Sequence, residues 1–167
     1  MSKEVSVATL NQVGSAFLEL PISRAVEAID LFDGWSTYRG VREANVNFFD
    51  MSAYCFMAVF GSLNDETREK IRQFQVTCVE VTPNSNYSQR RHMESDTLFA
   101  VVDDGNHGER ILRKKDPSAH SDLLKLRKNQ LLYVPKGERY EFCTHRARSS
   151  LWMYQVTTPW TREVRYD

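Results

Sequence analysis

The chain has 167 residues, the size of one domain, with 22 basic and 22 acidic side chains and a formal net charge of zero at pH 7. Nucleic-acid-binding domains usually carry a basic excess, so this balance argues against a nucleic-acid partner. Hydrophobic residues make up 41% of the sequence and charged residues 26%, which are proportions typical of a soluble globular protein.

The N-terminus and the cysteines predict a cytoplasmic protein. Residues 1–12 contain no apolar core of signal-peptide length, and the longest apolar run, residues 53–60, is too short to span a bilayer. The three cysteines, Cys55, Cys78 and Cys143, form no Cys-x-x-Cys pair. An odd number of unpaired thiols fits a reducing compartment. Because the apolar run at residues 53–60 is too short to span a bilayer, we also expect no membrane partner.

Two short helices are predicted in the N-terminal part of the chain. Residues 23–32 have apolar side chains at helical spacing and are followed by Gly34, which can end a helix. Residues 64–74 begin with Asn64, a suitable N-cap, and have acidic residues before basic ones, which suits the helix dipole. Residues 46–60 are ambiguous between strand and helix.

From residue 75 onward the pattern changes to short strands separated by turns. Strands are predicted at residues 75–81, 98–102, 109–113, 123–126, 130–134, 140–143 and 151–157. Many short strands after a mixed N-terminal third are typical of a small β-barrel or a two-sheet sandwich. We expect one structural domain, in which residues 1–74 form a helical and strand elaboration and residues 75–167 form the barrel.

A row of ionisable residues precedes the apolar part of one predicted strand. If residues 88–102 are one extended strand, one face carries Arg90, His92, Glu94, Asp96, Leu98, Ala100 and Val102. Inward charges are costly unless they are paired, hydrated or bound to a ligand, and such groups often have shifted pKa values in functional sites. The row is therefore a candidate site.

Two segments resemble the two motifs of the cupin superfamily. The second motif reads Gly, five residues, Pro-x-Gly, two residues, His, three residues, Asn. Here Asn129 stands at the first Gly position, and Pro135, Lys136 and Gly137 match the turn. Tyr140 then stands at the His position. Thus the turn matches the family pattern, and the metal-ligand position differs from it.

The first cupin motif reads Gly, five residues, His-x-His, three or four residues, Glu, six residues, Gly, and it fits in two registers. In one register, His92 and Glu94 take the His-x-His positions, Leu98 takes the Glu position and the closing Gly is retained. In the other, Arg90 and His92 take the pair, Asp96 takes the Glu position and the closing Gly is lost. Both registers keep His92, and neither restores two His and a Glu.

The resemblance, which covers about residues 75–160, implies a mainly β fold, a cupin-like jelly-roll β-barrel. One function that it implies is a small-molecule isomerase, epimerase, lyase or cyclase of a biosynthetic or tailoring pathway, working without metal. His92 would be the base, Glu94 or Asp96 would orient it and Tyr140 would donate a proton. Arg90 and Tyr87 would contact a small polar or anionic metabolite.

Two other functions stay open. One is a metal-dependent cupin dioxygenase in which His92, Glu94 and Asp96 hold Fe(II), Mn(II) or Zn(II). The other is a non-catalytic ligand-binding or regulatory cupin. The altered ligand positions favour the metal-independent enzyme and the binding protein, so no cofactor is favoured. A homodimer is also expected, since the outer layer of cupin barrels often forms a dimer interface.

Overall fold

The computed structural model describes residues 6–20, 22–31, 33–46, 63–85, 89–105, 110–114, 122–144, 146–158 and 161–166. The helices within these ranges are α1 Val7–Leu18, α2 Ile22–Leu31 and α3 Asp65–Ile71. The strands are β1 Ser36–Tyr38, β2 Val41–Asn45, β3 Gln75–Val81, β4 Gln89–His92, β5 Thr97–Asp104, β6 Arg110–Lys114, β7 Asp122–Lys125, β8 Leu131–Val134, β9 Arg139–Cys143, β10 Leu151–Thr157 and β11 Glu163–Tyr166. None of the described helices has the length and apolar content needed to cross a bilayer.

The strands form two antiparallel sheets that pack face to face. The larger sheet has the order β1-β2-β3-β10-β5-β8, and the smaller has the order β11-β4-β9-β6-β7. Val79, Phe99 and Met153 of the larger sheet meet Tyr140 and Phe142 of the smaller one in a common apolar cluster. This burial of two inner faces against each other is the main source of stability for such a fold.

Helix α1 covers the outer face of the larger sheet. Ser6 caps this helix by accepting a hydrogen bond from the Thr9 backbone N–H. Leu10, Val13 and Phe17 form one buried face against Leu98, Ala100 and Tyr154. The rings of Phe17 and Tyr154 lie 4.8 Å apart. The outward side chains of β5 and β10 are therefore covered by a helix.

Most of the predicted elements with strong local signals are present. The predicted helices correspond to α2 and α3, and the Thr67 backbone N–H donates to Asn64 Oδ1 at 2.8 Å as expected for an N-cap. The predicted strands at 75–81 and 151–157 coincide with β3 and β10. Helix α1 and strands β1, β2 and β11 were not predicted. Residues 47–60 of the ambiguous segment lie outside the described residues.

The prediction of one strand over residues 88–102 is wrong. The chain turns between His92, the end of β4, and Thr97, the start of β5, and the two strands enter different sheets. Ser95 stabilises this turn, because its hydroxyl accepts from the Thr158 backbone N–H at 2.9 Å. Consequently Arg90 and His92 point between the sheets, whereas Leu98 and Ala100 point outward to α1.

A close approach at Gly14 gives a first testable prediction. A Cβ atom built on Gly14 would lie 2.2 Å from Cδ2 of Leu98, which is fully buried. We expect Gly14→Val to lower the free energy of unfolding by about 1–3 kcal/mol through overpacking. Ser15→Val, on the exposed side of the same helix, is the matched control, and urea unfolding measures both. Equal stabilities for the two variants would contradict this packing.

Candidate functional site

The space between the two sheets is apolar at one end and polar at the other. At the apolar end, the inward residues of β2, β3 and β10 are Val41, Val81 and Leu151, which are neighbours in register. At the other end of the same three strands, the inward residues are polar: Asn45, Gln75, Thr77, Gln155 and Thr157. The polar end therefore has side chains that can form hydrogen bonds with a ligand.

A cleft of about 230 Å³ opens at this polar end. Its described lining consists of Ser36, Glu43, Asn45, Gln75, Thr77, His92, Gln155, Thr157, Thr161 and Glu163. Pockets for drug-sized ligands usually measure about 300–1,000 Å³. The cleft is smaller than this range.

His92 and Tyr140 form a buried hydrogen-bonded pair at the inner wall of the cleft. Strands β4 and β9 are adjacent, with Arg90 opposite Tyr140 in register, so both strands direct these side chains inward. His92 Nε2 lies 2.8 Å from the Tyr140 hydroxyl oxygen, and the rings are stacked at 5.8 Å. Phe99 packs edge-on against Tyr140. Among the described residues, none is a hydrogen-bond partner of His92 Nδ1.

The environment of His92 favours the neutral imidazole. Burial lowers the pKa of His92 from its ordinary value of 6.5. The carboxylate of Glu163, with Oε2 3.8 Å from His92 Nε2, opposes this shift, and the cation of Arg90 reinforces it. The net direction of the pKa shift is downward, which favours the uncharged ring at neutral pH.

Four charged groups lie beside this pair. Arg90, with only 1% of its surface exposed, donates from Nη1 to Glu43 and lies 3.1 Å from Glu163 Oε1. Arg165 bridges the same two carboxylates, 3.1 Å from Glu43 Oε2 and 3.0 Å from Glu163 Oε1. The two cations and two anions compensate one another, as a buried charge requires. Glu43, Glu163 and Arg165 are not among the site residues predicted from the sequence, because their strands β2 and β11 are not predicted either.

Glu94 and Asp96 do not belong to this group, so their predicted place on the His92 face is wrong. The Glu94 carboxylate accepts from the Arg162 backbone N–H at 2.6 Å and from Arg162 Nε at 2.9 Å. These hydrogen bonds lower the pKa of Glu94. Asp96 Oδ1 accepts from the Lys136 backbone N–H at 2.8 Å. Both carboxylates stabilise turns. Tyr87, the other predicted contact residue, lies outside the described residues.

Backbone geometry supports parts of both motif registers. Arg90 and His92 are the inward pair, as in the second register. Gly105, the closing Gly of the first register, has φ +68°. In the second motif, Asn129 at a Gly position has φ +67° and Gly137 has φ +80°. A left-handed backbone favours Gly and, less strongly, Asn, which explains why Asn129 can replace a Gly there.

The residues at the motif positions do not fit a divalent cation. Among the described residues, no group of three or more His, Cys, Asp and Glu side chains is arranged to hold a metal ion. The carboxylates beside His92, those of Glu43 and Glu163, both contact the guanidinium of Arg90. A metal ion there would have to compete with a fixed, permanently charged group.

The lowered pKa of His92 predicts a pH dependence of stability. The unfolded chain, with a His pKa of about 6.5, binds more protons than the folded chain at mildly acidic pH. The contribution of neutral His92 is therefore complete above about pH 6.5 and is lost as the pH falls from there toward the folded pKa. In urea unfolding, we expect the free energy of unfolding of the wild type to fall relative to that of His92→Gln as the pH is lowered. A constant difference would contradict the pKa direction.

Comparison with known proteins agrees with the predicted architecture. The sequence matches no protein-family model and no curated protein. Among solved structures, it is similar to a 7S globulin of Momordica charantia (TM-score 0.56, 10% identity, 81% of this chain and 36% of that chain). It is also similar to an oxalate decarboxylase of Lactobacillus farciminis in a formate complex (0.55, 10%, 81% and 34%) and to the coconut allergen cocosin (0.54, 13%, 80% and 31%).

The chain spans about a third of the length of these proteins. Identities this low show the fold alone, and they confirm the predicted mainly β jelly-roll. One of these proteins is named as an enzyme and another as a globulin. The shared fold therefore does not choose between catalysis and binding.

Proposed function

We propose that this cupin-fold chain is an enzyme that moves a proton on a small polar metabolite bound in the cleft, as an isomerase, epimerase or lyase does. The observation that supports this best is the position of His92. It is a buried imidazole that lines the cleft and is held at Nε2 by Tyr140, and burial lowers its pKa, which favours the neutral ring. A neutral imidazole is a good general base near neutral pH.

The hydrogen bond to Tyr140 supports proton transfer in both directions. When Nε2–H donates to the Tyr140 hydroxyl oxygen, Nδ1 carries a lone pair that can accept a proton from a ligand. The imidazolium that results keeps Nε2–H on the Tyr140 hydroxyl oxygen and can return the proton from Nδ1, which restores the neutral ring. The imidazolium formed in between is stabilised by Glu163, whose Oε2 lies 3.8 Å from Nε2. His92 is thus the proposed catalytic acid–base group.

Tyr140 and Arg90 are proposed as positioning residues. Tyr140 is almost fully buried and is not part of the described lining of the cleft, so it acts through His92. Arg90 contacts Glu43 and Glu163 through its guanidinium, so these carboxylates are already engaged by a permanent cation. We therefore propose a mechanism without metal in preference to the dioxygenase alternative.

A cytoplasmic setting is also part of the proposal. Cys78 is a free thiol, and burial raises its pKa to about 12, with Glu80 acting in the same direction. A protonated, buried thiol is an inert core group and suits a reducing compartment.

The proposal is tested by incubating the protein with a metabolite extract and following substrate loss and product formation by chromatography coupled to mass spectrometry, which separates isomers of equal mass. We expect His92→Ala to reduce the rate by about 10²-fold or more, the usual contribution of a general acid–base group. Tyr140→Phe should reduce it less, because the ring keeps its place and only the hydroxyl is lost. Tyr133→Phe removes a hydroxyl outside the cleft and is the matched control, expected to retain wild-type activity. Saturable binding without consumption would instead indicate a binding protein.

A further inference from the structure

We infer that the cleft selects its ligand by charge: it binds small neutral or positively charged molecules rich in hydroxyl or ammonium groups, and it discriminates against anions. This inference rests on the proposed function in one respect, namely that the ligand binds in the cleft. It goes further by naming the chemical class of that ligand.

The charge of the lining is the first argument. Among the described lining residues, the charged ones are Glu43 and Glu163, and His92 is neutral. The others contribute amides and hydroxyls: Ser36, Asn45, Gln75, Thr77, Gln155, Thr157 and Thr161. A ligand in the cleft therefore meets two carboxylates and a set of neutral hydrogen-bonding groups.

The positions of the arginines are the second argument. Arg90 is buried and contacts both carboxylates, while Arg165 bridges the same pair from its partly exposed position on β11. Neither guanidinium belongs to the described lining of the cleft. The two guanidiniums compensate the charge of Glu43 and Glu163, but an incoming anion would meet the carboxylates first and would have to compete with them for Arg90. Sequence analysis predicted that Arg90 binds an anionic group, whereas the structure pairs it with carboxylates of the protein.

Incomplete hydrogen bonding at the cleft is an independent sign of a ligand. Gln155 is only 6% exposed, and its Oε1 has no hydrogen-bond partner among the described residues. The same holds, within the described structure, for His92 Nδ1. Both side chains line the cleft. Buried polar atoms are normally paired, so these two atoms favour a polar ligand that completes their hydrogen bonds.

Three sugars that share one ring test the charge selection directly. Glucose, glucosamine and glucuronate differ in one substituent and are respectively neutral, positively charged and negatively charged near pH 7. Dissociation constants are measured by NMR titration, with the His92 ring and the Gln155 side-chain amide as local probes. We expect glucosamine and glucose to shift both probes, and glucuronate to bind at least about tenfold more weakly than glucosamine.

Matched variants connect the selectivity with the lining carboxylates. Glu163→Gln keeps the shape of the side chain and should reduce the preference for glucosamine. Glu80→Gln is the control, because Glu80 is also ion-paired, to Arg42 at 2.5 Å, and does not line the cleft. Gln75→Lys, at a half-buried lining position, should shift the preference toward glucuronate even if the Glu163 variant folds poorly.

Four outcomes would overturn the inference. The first is that glucuronate binds as tightly as glucosamine, and the second is that no sugar shifts either probe. The third and fourth are that the preference among the sugars stays unchanged in Glu163→Gln or in Gln75→Lys.

Failure of the proposed function gives different results. His92-dependent consumption of an anionic metabolite would retain the enzyme and reject the charge selection. Glucosamine binding with no consumption of any metabolite would retain the charge selection and reject the enzyme.

Discussion

Arg90→Ala is expected to lower the free energy of unfolding by about 3–5 kcal/mol, the usual cost of removing one partner from a buried ion pair. Arg90 is 1% exposed and contacts Glu43 and Glu163. Of the four charged residues described above, the variant keeps both carboxylates but only one of the two cations, Arg165. Urea unfolding followed by circular dichroism measures the loss.

Arg162→Ala is the matched control for this experiment. Arg162 also pairs with a carboxylate, that of Glu94 at 2.9 Å, but its side chain is 75% exposed. Exposed ion pairs contribute about 0–1 kcal/mol, so little change is expected. A triple variant of Arg90→Met, Glu43→Gln and Glu163→Gln should recover part of the loss, because no buried charge is left unpaired and the remaining cation, Arg165, is partly exposed to water. An Arg90→Ala protein as stable as the control would contradict the proposed charge compensation.

The second large effect is expected at Phe17. Phe17→Ala should lower the free energy of unfolding by about 3–5 kcal/mol, since the ring is fully buried and packs 4.8 Å from the ring of Tyr154. The change leaves a cavity between α1 and the larger sheet. Val7→Ala, at a 42% exposed position on the same helix, should stay within about 0.5 kcal/mol of the wild type. Similar losses for both variants would indicate that α1 does not dock through Phe17.

Helix α1 illustrates a signal that was present in the sequence. Leu10, Val13, Gly14 and Phe17 recur at helical spacing, and Ser6 stands at the N-cap. Local patterns of this kind identified α2, α3, β3 and β10, because caps and periodicity act over a few residues. The same reasoning applied to residues 6–18 would have predicted α1. Strands β1, β2 and β11 are short and contain at most two apolar residues each among polar and charged ones, too few for a clear alternation.

The candidate site was predictable only in part. His92 and Tyr140 were identified because their positions follow motif spacing, and the structure brings them within 2.8 Å. Glu43 was beyond local reasoning, since its partner Arg165 is 122 residues away in the chain. Glu94 and Asp96 were misplaced for a different reason. The turn after His92 changes which face the following residues occupy, and strand alternation does not extend through a turn.

The central claim is that His92 transfers protons to and from a ligand, and solvent deuterium tests it most directly. The protein is incubated in D₂O with a metabolite extract, and mass spectra are compared with those from His92→Ala. Proton removal by His92 followed by exchange with solvent predicts a metabolite that gains one mass unit with the wild type and not with the variant. Equal consumption and equal deuterium uptake with the wild type and with His92→Ala would contradict the claim.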